Sequence, residues 1–348
     1  MTASAKSGMI DEAEKTGNAG KTGKIRWGIL ATGSIAATFT EDLLTLDDAE
    51  VVAVGSRTAG AAREFADRYG IPRAYGSWAG LAADADVDIV YIATPHSAHH
   101  AAAALCLDAG KAVLCEKPLT LDAAQAEDLF RRAEAGGVFF MEAMWTRCVP
   151  AVLRMAELVR AGAIGEPRLV TADFSVTFDS GPEHRMRNPA LGGGALLDLG
   201  VYPLAISRLV LGEPSAVRAV ATLTPEGVDA TTAMTLLHPG GGVSALTCSI
   251  SADGTWSATI SGSEGRIEFG RGFTSPTGFT VHRGDDVVER VEVPYLAQGM
   301  VHEAIEAQRC LRAGLVESPL APWSETLGVM RTMDDIRAQI GVAYPSAL

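Results

Sequence analysis

The residues best suited to chemistry lie in two short stretches far apart in the chain. In "VLCEKPLT", residues 113–120, an apolar run stops abruptly at Glu116, Lys117 and Pro118. In "GGGALLDLGVYPL", residues 192–204, Asp198 and Tyr202 stand four positions apart, so a helix places both on one face. An amine, a carboxylate and a phenol together suit hydride chemistry at a carbon bearing oxygen. Lys117 can polarise that oxygen as an ammonium, or act as a general acid where desolvation lowers its pKa. Tyr202 can pass a proton, and Asp198 can orient Lys117. The glycines at 192–194 allow close approach of another backbone or a ligand. Pro203 removes one helical N–H, so the helix either kinks there or begins later. Pro118 fixes the backbone after Lys117, and an X-Pro bond is usually trans. Taken singly, each stretch has a plain reading: a surface lysine before a loop, and a buried tyrosine beside a capping aspartate. Their co-occurrence favours chemistry.

The elements that must hold these residues are legible around them. Strand candidates "KIRWGILA", "EVVAVGSR", "VDIVYIAT", "KAVLC" and "VFFMEAM" alternate with helical stretches from residue 24 to 144. One of these helices, at 121–137, has Asp122 as its N-cap and Gly136 as its stop. Alternation with helices of ten or more residues implies βαβ crossovers and a buried parallel sheet. Beyond residue 165 the pattern changes to eight strand candidates, from "RLVTADFSVTF" to "VVERVEV", with turns such as "HPGGG" between them. That spacing suits an antiparallel sheet. Two helices, at 300–314 and 323–341, close the chain. The fold class is therefore α/β: a Rossmann domain with a doubly wound parallel sheet, followed by an α+β domain with a large, mostly antiparallel, open-faced sheet. The expected division is a disordered tail at 1–24, a nucleotide domain at 25–145 and a substrate and dimerisation domain at 146–348.

Between the first strand and first helix lies "GILATGSIA". The dinucleotide fingerprint G-x-G-x-x-G falls on Ala31, Gly33 and Ala36 here. Gly33 matters most, because a Cβ there would meet the phosphates; Ala31 departs from the pattern. The second strand ends in Ser56 and Arg57, where an NAD site would usually offer a carboxylate to the ribose. A guanidinium matches a 2′-phosphate, so NADP is expected in preference to NAD. Ligands bind outside the carboxyl ends of such strands, which places "TPHSAHH" and "CEKP" beside the nicotinamide.

The totals bound the rest. A net charge of −13 over 348 residues argues against a nucleic-acid surface or an anionic membrane as partner. No apolar run of membrane-spanning length is evident, and the first two dozen residues lack the apolar core of a secretory signal. Cys106, Cys115, Cys148, Cys248 and Cys310 are scattered singly, which fits a reducing, cytoplasmic setting. His96, His99 and His100 have no acidic or cysteine partner at ligand spacing, so no metal is expected.

In order, "RWGILATGSIA", "TPHSAHH", "AGKAVLCEKPLTL", "FFMEAMWTR", "GGGALLDLGVYPL" and "ESPLAPWSETLGVMRTMDDIR" resemble the Gfo/Idh/MocA family, the glucose–fructose oxidoreductase and inositol dehydrogenase group. Within it, the likeness is to the dimeric dihydrodiol dehydrogenases, which also act as NADP-dependent D-xylose dehydrogenases. The resemblance implies Lys117 and Tyr202 at the reacting centre with Asp198 in support. It implies cofactor contacts from Gly33, Ser34, Ile35, Arg57, Thr94, Pro95, His99, Glu116 and Lys117, to which position adds Ser56. His96 stands where many members carry Asn. Trp145 and Arg147 match a segment lining the cofactor and substrate pocket. The expected activity is NADP(H)-dependent hydride transfer at a carbinol or carbonyl carbon of a small polyol, sugar or dihydrodiol. The alternatives are a sugar transhydrogenase with tightly held NADP and a non-catalytic NADP or sugar sensor. By analogy with the family, a homodimer through the C-terminal sheet, or a higher oligomer containing it, is expected.

Overall fold

A computed structural model describes residues 23–178 and 181–345. Most of the expected tail, residues 1–22, lies outside the described residues.

The first half is a six-stranded parallel sheet. Its elements run β1 (Ile25–Leu30), α1 (Ser34–Leu43), β2 (Ala49–Gly55), α2 (Ala59–Tyr69), β3 (Arg73–Tyr75), α3 (Trp78–Ala82), β4 (Ile89–Ile92), α4 (His99–Asp108), β5 (Ala112–Glu116), α5 (Ala123–Gly136) and β6 (Phe140–Ala143). The strand order is β3-β2-β1-β4-β5-β6. Helices cover both faces, so the strands are apolar nearly throughout: every residue of β4 is buried, and Ile25, Trp27, Ile29 and Leu30 of β1 are fully so. The chain changes direction across the sheet between β1 and β4, which opens a crevice at their carboxyl ends. Asp122 caps α5 by accepting from the Gln125 N–H at 2.8 Å. The helix runs through Gly136 and stops at Gly137, whose φ of 61° is left-handed. β3 and α3 are too short to have been read from the sequence.

The second half contains α6 (Pro150–Arg160), β7 (Pro167–Ser175), α7 (Val201–Leu211), β8 (Ala216–Leu223), β9 (Asp229–Leu237), β10 (Val243–Ser249), β11 (Ser257–Gly262), β12 (Arg266–Phe269), β13 (Gly278–Arg283), β14 (Asp286–Glu292), α8 (Val301–Arg312) and α9 (Trp323–Ile340). The strands form one eight-stranded sheet in the order β14-β13-β12-β11-β7-β10-β9-β8. All neighbours are antiparallel except β7 and β10. Helix α7 lies on β7 and β10, α9 lies on β8, and α6 packs beside α7. The covering helix α6 was not expected from the sequence. α8 returns to pack on α1, and α9 on α5, so the end of the chain binds back to the first sheet. The continuous stretch Pro189–Leu211 has the length and hydropathy of a membrane span, but 78% of its apolar window is buried inside the protein. Its helical part, from Leu196 to Leu211, is a buried core segment that carries Asp198 and Tyr202.

Candidate active site

Strand β5 delivers Lys117 to the crevice. The strand is buried up to Glu116, and the next peptide bond, Lys117–Pro118, is cis, not the usual trans form. Lys117 Nζ donates to two oxygens of one residue: the Asp198 main-chain carbonyl at 2.9 Å and its Oδ1 at 3.1 Å. An ammonium has three donors, so one is left for a ligand.

Asp198 sits in a π-helical turn, Leu196–Gly200, that runs straight into α7. Pro203 therefore lies inside a continuous helical segment, and the π-turn just before it is where the chain absorbs the missing N–H. Two features pin the start of this segment. Asp229, fully buried at the beginning of β9, accepts from the Leu196 N–H and the Thr232 hydroxyl, both at 2.7 Å. Gly194 lies directly over that carboxylate with φ +115°; a Cβ there would fall 2.3 Å from Asp229 Oδ1, so glycine is required both for conformation and for space.

Around the Asp198 carboxylate gather Lys117, His96 Nε2 at 3.3 Å and Arg185 at 3.2 Å. Burial alone would push its carboxyl up, but Lys117, His96 and Arg185 together hold it well below the usual carboxylate range. In return, Lys117 is raised above its ordinary value: burial lowers it, and Asp198, with Tyr202 and Glu116, outweighs burial. Lys117 is therefore favoured as a cation, paired with the Asp198 carboxylate. Its Nζ lies 4.8 Å from the centroid of the Tyr202 ring. The Tyr202 hydroxyl accepts from Trp145 Nε1 at 3.0 Å. Because indole can only donate, the phenol keeps its own O–H for a ligand. Burial pushes Tyr202 up to about 12, against the pull of Lys117 and Trp145.

The other end of the crevice is built for a dinucleotide. Helix α1 starts after Gly33 with no side chain capping its first turn, leaving N–H groups to an anion. A Cβ at Gly33 would meet no protein atom within 4 Å; the space it would enter is the crevice itself. Ala31, at the place of the first fingerprint glycine, has φ +98°. Thr94 Oγ1 is buried without a hydrogen-bond partner, an orphaned group that a bound ligand can satisfy. His99 links the loops after β4 and β5, its ring nitrogens lying 2.9 Å from the carbonyls of Pro118 and Thr94. Burial, with His96 beside it, pushes its ring down to about 4, against the pull of the carbonyls at both ring nitrogens, which favour the charged form. Glu116 accepts from the Tyr91 hydroxyl and from the Lys117 N–H. Burial raises its carboxyl despite the charge of Lys117.

One cleft of about 730 Å³ joins both ends. It is lined by Gly33, Ser34, Ile35, Ser56, Arg57, Thr94, Pro95, His96, His99, Glu116, Lys117, Trp145, Asp198 and Tyr202, all expected at the site from sequence. Arg147 is the exception. The short turn Trp145–Arg147 sends Trp145 into the cleft but Arg147 away from it, onto Glu325 Oε2 at 2.8 Å. His100 also points elsewhere and pairs with Asp128. Sequence reading missed Arg185, Trp78 and Gln298, which also line the cleft, and Asp229 beneath it. Gln298 reaches the site because Asp42 of α1 accepts its main-chain N–H at 2.9 Å and that of Val301 at 2.8 Å. Only its segment's apposition to α1 reveals this.

A parallel sheet that leaves its phosphate turn open, with a reacting set delivered across the crevice by a second sheet's helix, defines a nicotinamide-dependent oxidoreductase. Residues 25–144 match the oxidoreductase family with NAD-binding Rossmann fold, and residues 152–268 match the GFO/IDH/MocA C-terminal domain. The chain belongs to the GFO/IDH/MocA family. It is 39% identical over 331 residues to the trans-1,2-dihydrobenzene-1,2-diol dehydrogenase of Bos taurus, covering 92% of this chain and 98% of that one. The Homo sapiens protein of the same name is 37% identical over 330 residues, with the same coverage. Among solved structures, the 3-ketoreductase KijD10 of Actinomadura kijaniata, in complex with NADP and TDP-benzene, is 29% identical with a TM-score of 0.80, covering 91% of this chain and 98% of that one. The aldose–aldose oxidoreductase of Caulobacter crescentus, complexed with glycerol, is 26% identical with a TM-score of 0.83, covering 91% and 97%.

Proposed function

We propose that this protein is an NADP(H)-dependent oxidoreductase that interconverts a carbinol and a carbonyl on a small polyol, sugar or dihydrodiol. The observation that carries the reading is Lys117, held as a cation by two oxygens of Asp198 and set against the ring of Tyr202 at the mouth of the dinucleotide crevice. NADP fits the residues present. Gly33 and the uncapped start of α1 take the pyrophosphate, and Arg57, exposed on the cleft lip without an ion pair among the described residues, takes the 2′-phosphate. Bound NADP supplies the hydride acceptor, and NADPH the donor.

The protein's own groups handle the oxygen. In oxidation the phenolate form of Tyr202, a small fraction at neutral pH because burial pushes the phenol up to about 12, receives the hydroxyl proton, and the Lys117 ammonium stabilises the developing alkoxide. Tyr202 is assigned the proton because two of the three Lys117 donors are spent on Asp198, whereas the Tyr202 O–H faces the cleft with its oxygen already accepting from Trp145. Trp145, donating to the phenol oxygen, stabilises the phenolate that forms in reverse. In reduction Tyr202 is the acid, and at neutral pH its proton is in place. The completeness of the reacting set speaks against a sensor. The five cysteines are free and buried, which suits a cytoplasmic enzyme.

Lys117→Ala is the direct test. Turnover falls by at least roughly a hundredfold, since it removes the charge facing the developing alkoxide. NADP affinity, followed by fluorescence titration, stays within a few fold. Normal turnover in this variant would sink the assignment.

A further inference from the structure

A second crevice, of about 270 Å³, lies on the far side of α7, between α6 and the start of α9. Three arginines face it: Arg147, Arg160 and Arg208. Gathering three in one small hollow is notable in a chain with a net charge of −13. Two of them are deeply buried, with side chains 8% and 10% exposed for Arg147 and Arg208. Their partners are few. Glu325 Oε2 accepts from Arg147 at 2.8 Å and lies 3.3 Å from Arg208 Nε, which is buried and finds no aligned acceptor. Arg208 also pairs with Glu213 and reaches the Ser324 carbonyl at 3.4 Å. Arg160 has no hydrogen bond or ion pair among the described residues. Three guanidinium groups carry fifteen N–H donors in all, and two carboxylates and one carbonyl meet only a few of them. The rest of the wall is apolar, including Leu153, Leu209 and Leu320.

The one carboxylate in its wall, Glu325, is engaged by Arg147 and Arg208, and Glu213 also pairs with Arg208, so the hollow keeps one unpaired positive charge, Arg160, beside spare guanidinium N–H groups and an apolar floor, the chemistry of an oxyanion receptor. We propose that it binds a small organic anion, with its phosphate or carboxylate on the arginines and its apolar body on the leucines. Arg160, at the rim, supplies the unpaired charge that meets the ligand. The site is separate from the dinucleotide cleft but joined to it by short covalent paths. Arg147 is two residues from Trp145, and Arg208 is six residues along α7 from Tyr202.

The test uses the full chain saturated with NADP, so that the dinucleotide cleft cannot take the probe. Inorganic phosphate and benzoate are titrated separately by calorimetry in a cationic buffer of low ionic strength. At least one probe is expected to bind at one site per chain, with affinity weakened roughly tenfold in Arg160→Ala and abolished in Arg160→Glu. Phosphate binding alone identifies a phosphate-bearing ligand. Tighter binding of benzoate than phosphate identifies a carboxylate on an apolar body. Arg160 is exposed and unpaired, so unfolding temperature and NADP affinity are expected to stay at their wild-type values in both variants, which keeps the comparison interpretable. Absence of binding by both probes, or binding that neither Arg160 variant changes, would overturn the proposal.

Discussion

Ala31 holds a backbone conformation that its side chain resists. Its φ of +98° lies where glycine is at ease and a Cβ is crowded, and its N–H is fixed on the Gly55 carbonyl at 2.9 Å. The phosphate turn needs that conformation so that Gly33 can present the start of α1 to the crevice. The departure from the glycine pattern noted in the sequence is therefore a departure in residue type alone. A non-glycine residue in such a region costs on the order of 1–3 kcal/mol. Glycine's greater freedom in the unfolded chain returns about 0.4–1 kcal/mol of that. Ala31→Gly is thus expected to stabilise the protein by about 1 kcal/mol in denaturant unfolding without cofactor, at unchanged dependence on denaturant concentration. A loss of stability would show that the turn does not strain Ala31.

At the scale of elements, the segment 192–211 is what converts two sheets into one site. Its glycine stretch passes over Asp229, its π-turn presents two oxygens of Asp198 to Lys117, and α7 sets Tyr202 beside them. Asp229 is a positioning residue for this segment: it caps the Leu196 N–H while tied to β9. Asp229→Ala is expected to cost about 1–2 kcal/mol, the usual worth of a lost cap, and to lower kcat more than KM by loosening Asp198 and Tyr202. Asp229→Asn keeps an acceptor and restores most of both. Equal stability and kcat in Asp229→Ala would remove Asp229 from this role. Lys117, Asp198 and Tyr202 were legible as candidates because their two stretches occur together, in the order of a known family's motifs, although each alone has a plain reading. Asp229, Arg185 and Gln298 were not, because an acid, a base and an amide in loops or at a strand edge acquire meaning only from partners far away in sequence. The covering helix α6 did leave a signal: Pro150 at its first position and buried Val152, Met155 and Ala156 at helical spacing. Arg147 was misplaced for a different reason. In a three-residue turn, neighbours leave in different directions, and its segment's likeness to a pocket lining could not distinguish Trp145 from Arg147.

On the scale of the whole molecule, the eight-stranded sheet has helices on one face only. The strand register lays three rows across the bare face. One runs Ala216, Leu237, Val243 and Leu169; the next runs Arg218, Thr235, Ala245, Thr171 and Thr259; the third runs Val220, Ala233, Thr247, Asp173 and Ser257. From β8 to β11, Arg218 and Asp173 are the charged members of these rows, and Asp173 is already bonded by Ser175 and Thr247 at 2.7 Å; on β12–β14 the rows turn polar and charged, through Arg266, Glu268, His282 and Arg290. Val220 is 72% exposed and Leu237 48%. A flat face of Thr, Ser and Ala edged with aliphatic residues is unusual on a chain this acidic, and its self-complementary rows suit a two-fold partner. We propose that two chains associate through it, which also covers the aliphatic row. Ala245 lies at the centre with its side chain directed away from the core, so Ala245→Arg places two cations against each other in the dimer and leaves the monomer's packing untouched. Light scattering after gel filtration is expected to give twice the chain mass for the wild type and a single chain mass for Ala245→Arg. Because both the reacting set and the dinucleotide crevice lie on the helix-covered side, the monomeric variant retains NADP binding. A wild type that runs as one chain at micromolar concentration would refute association through this face.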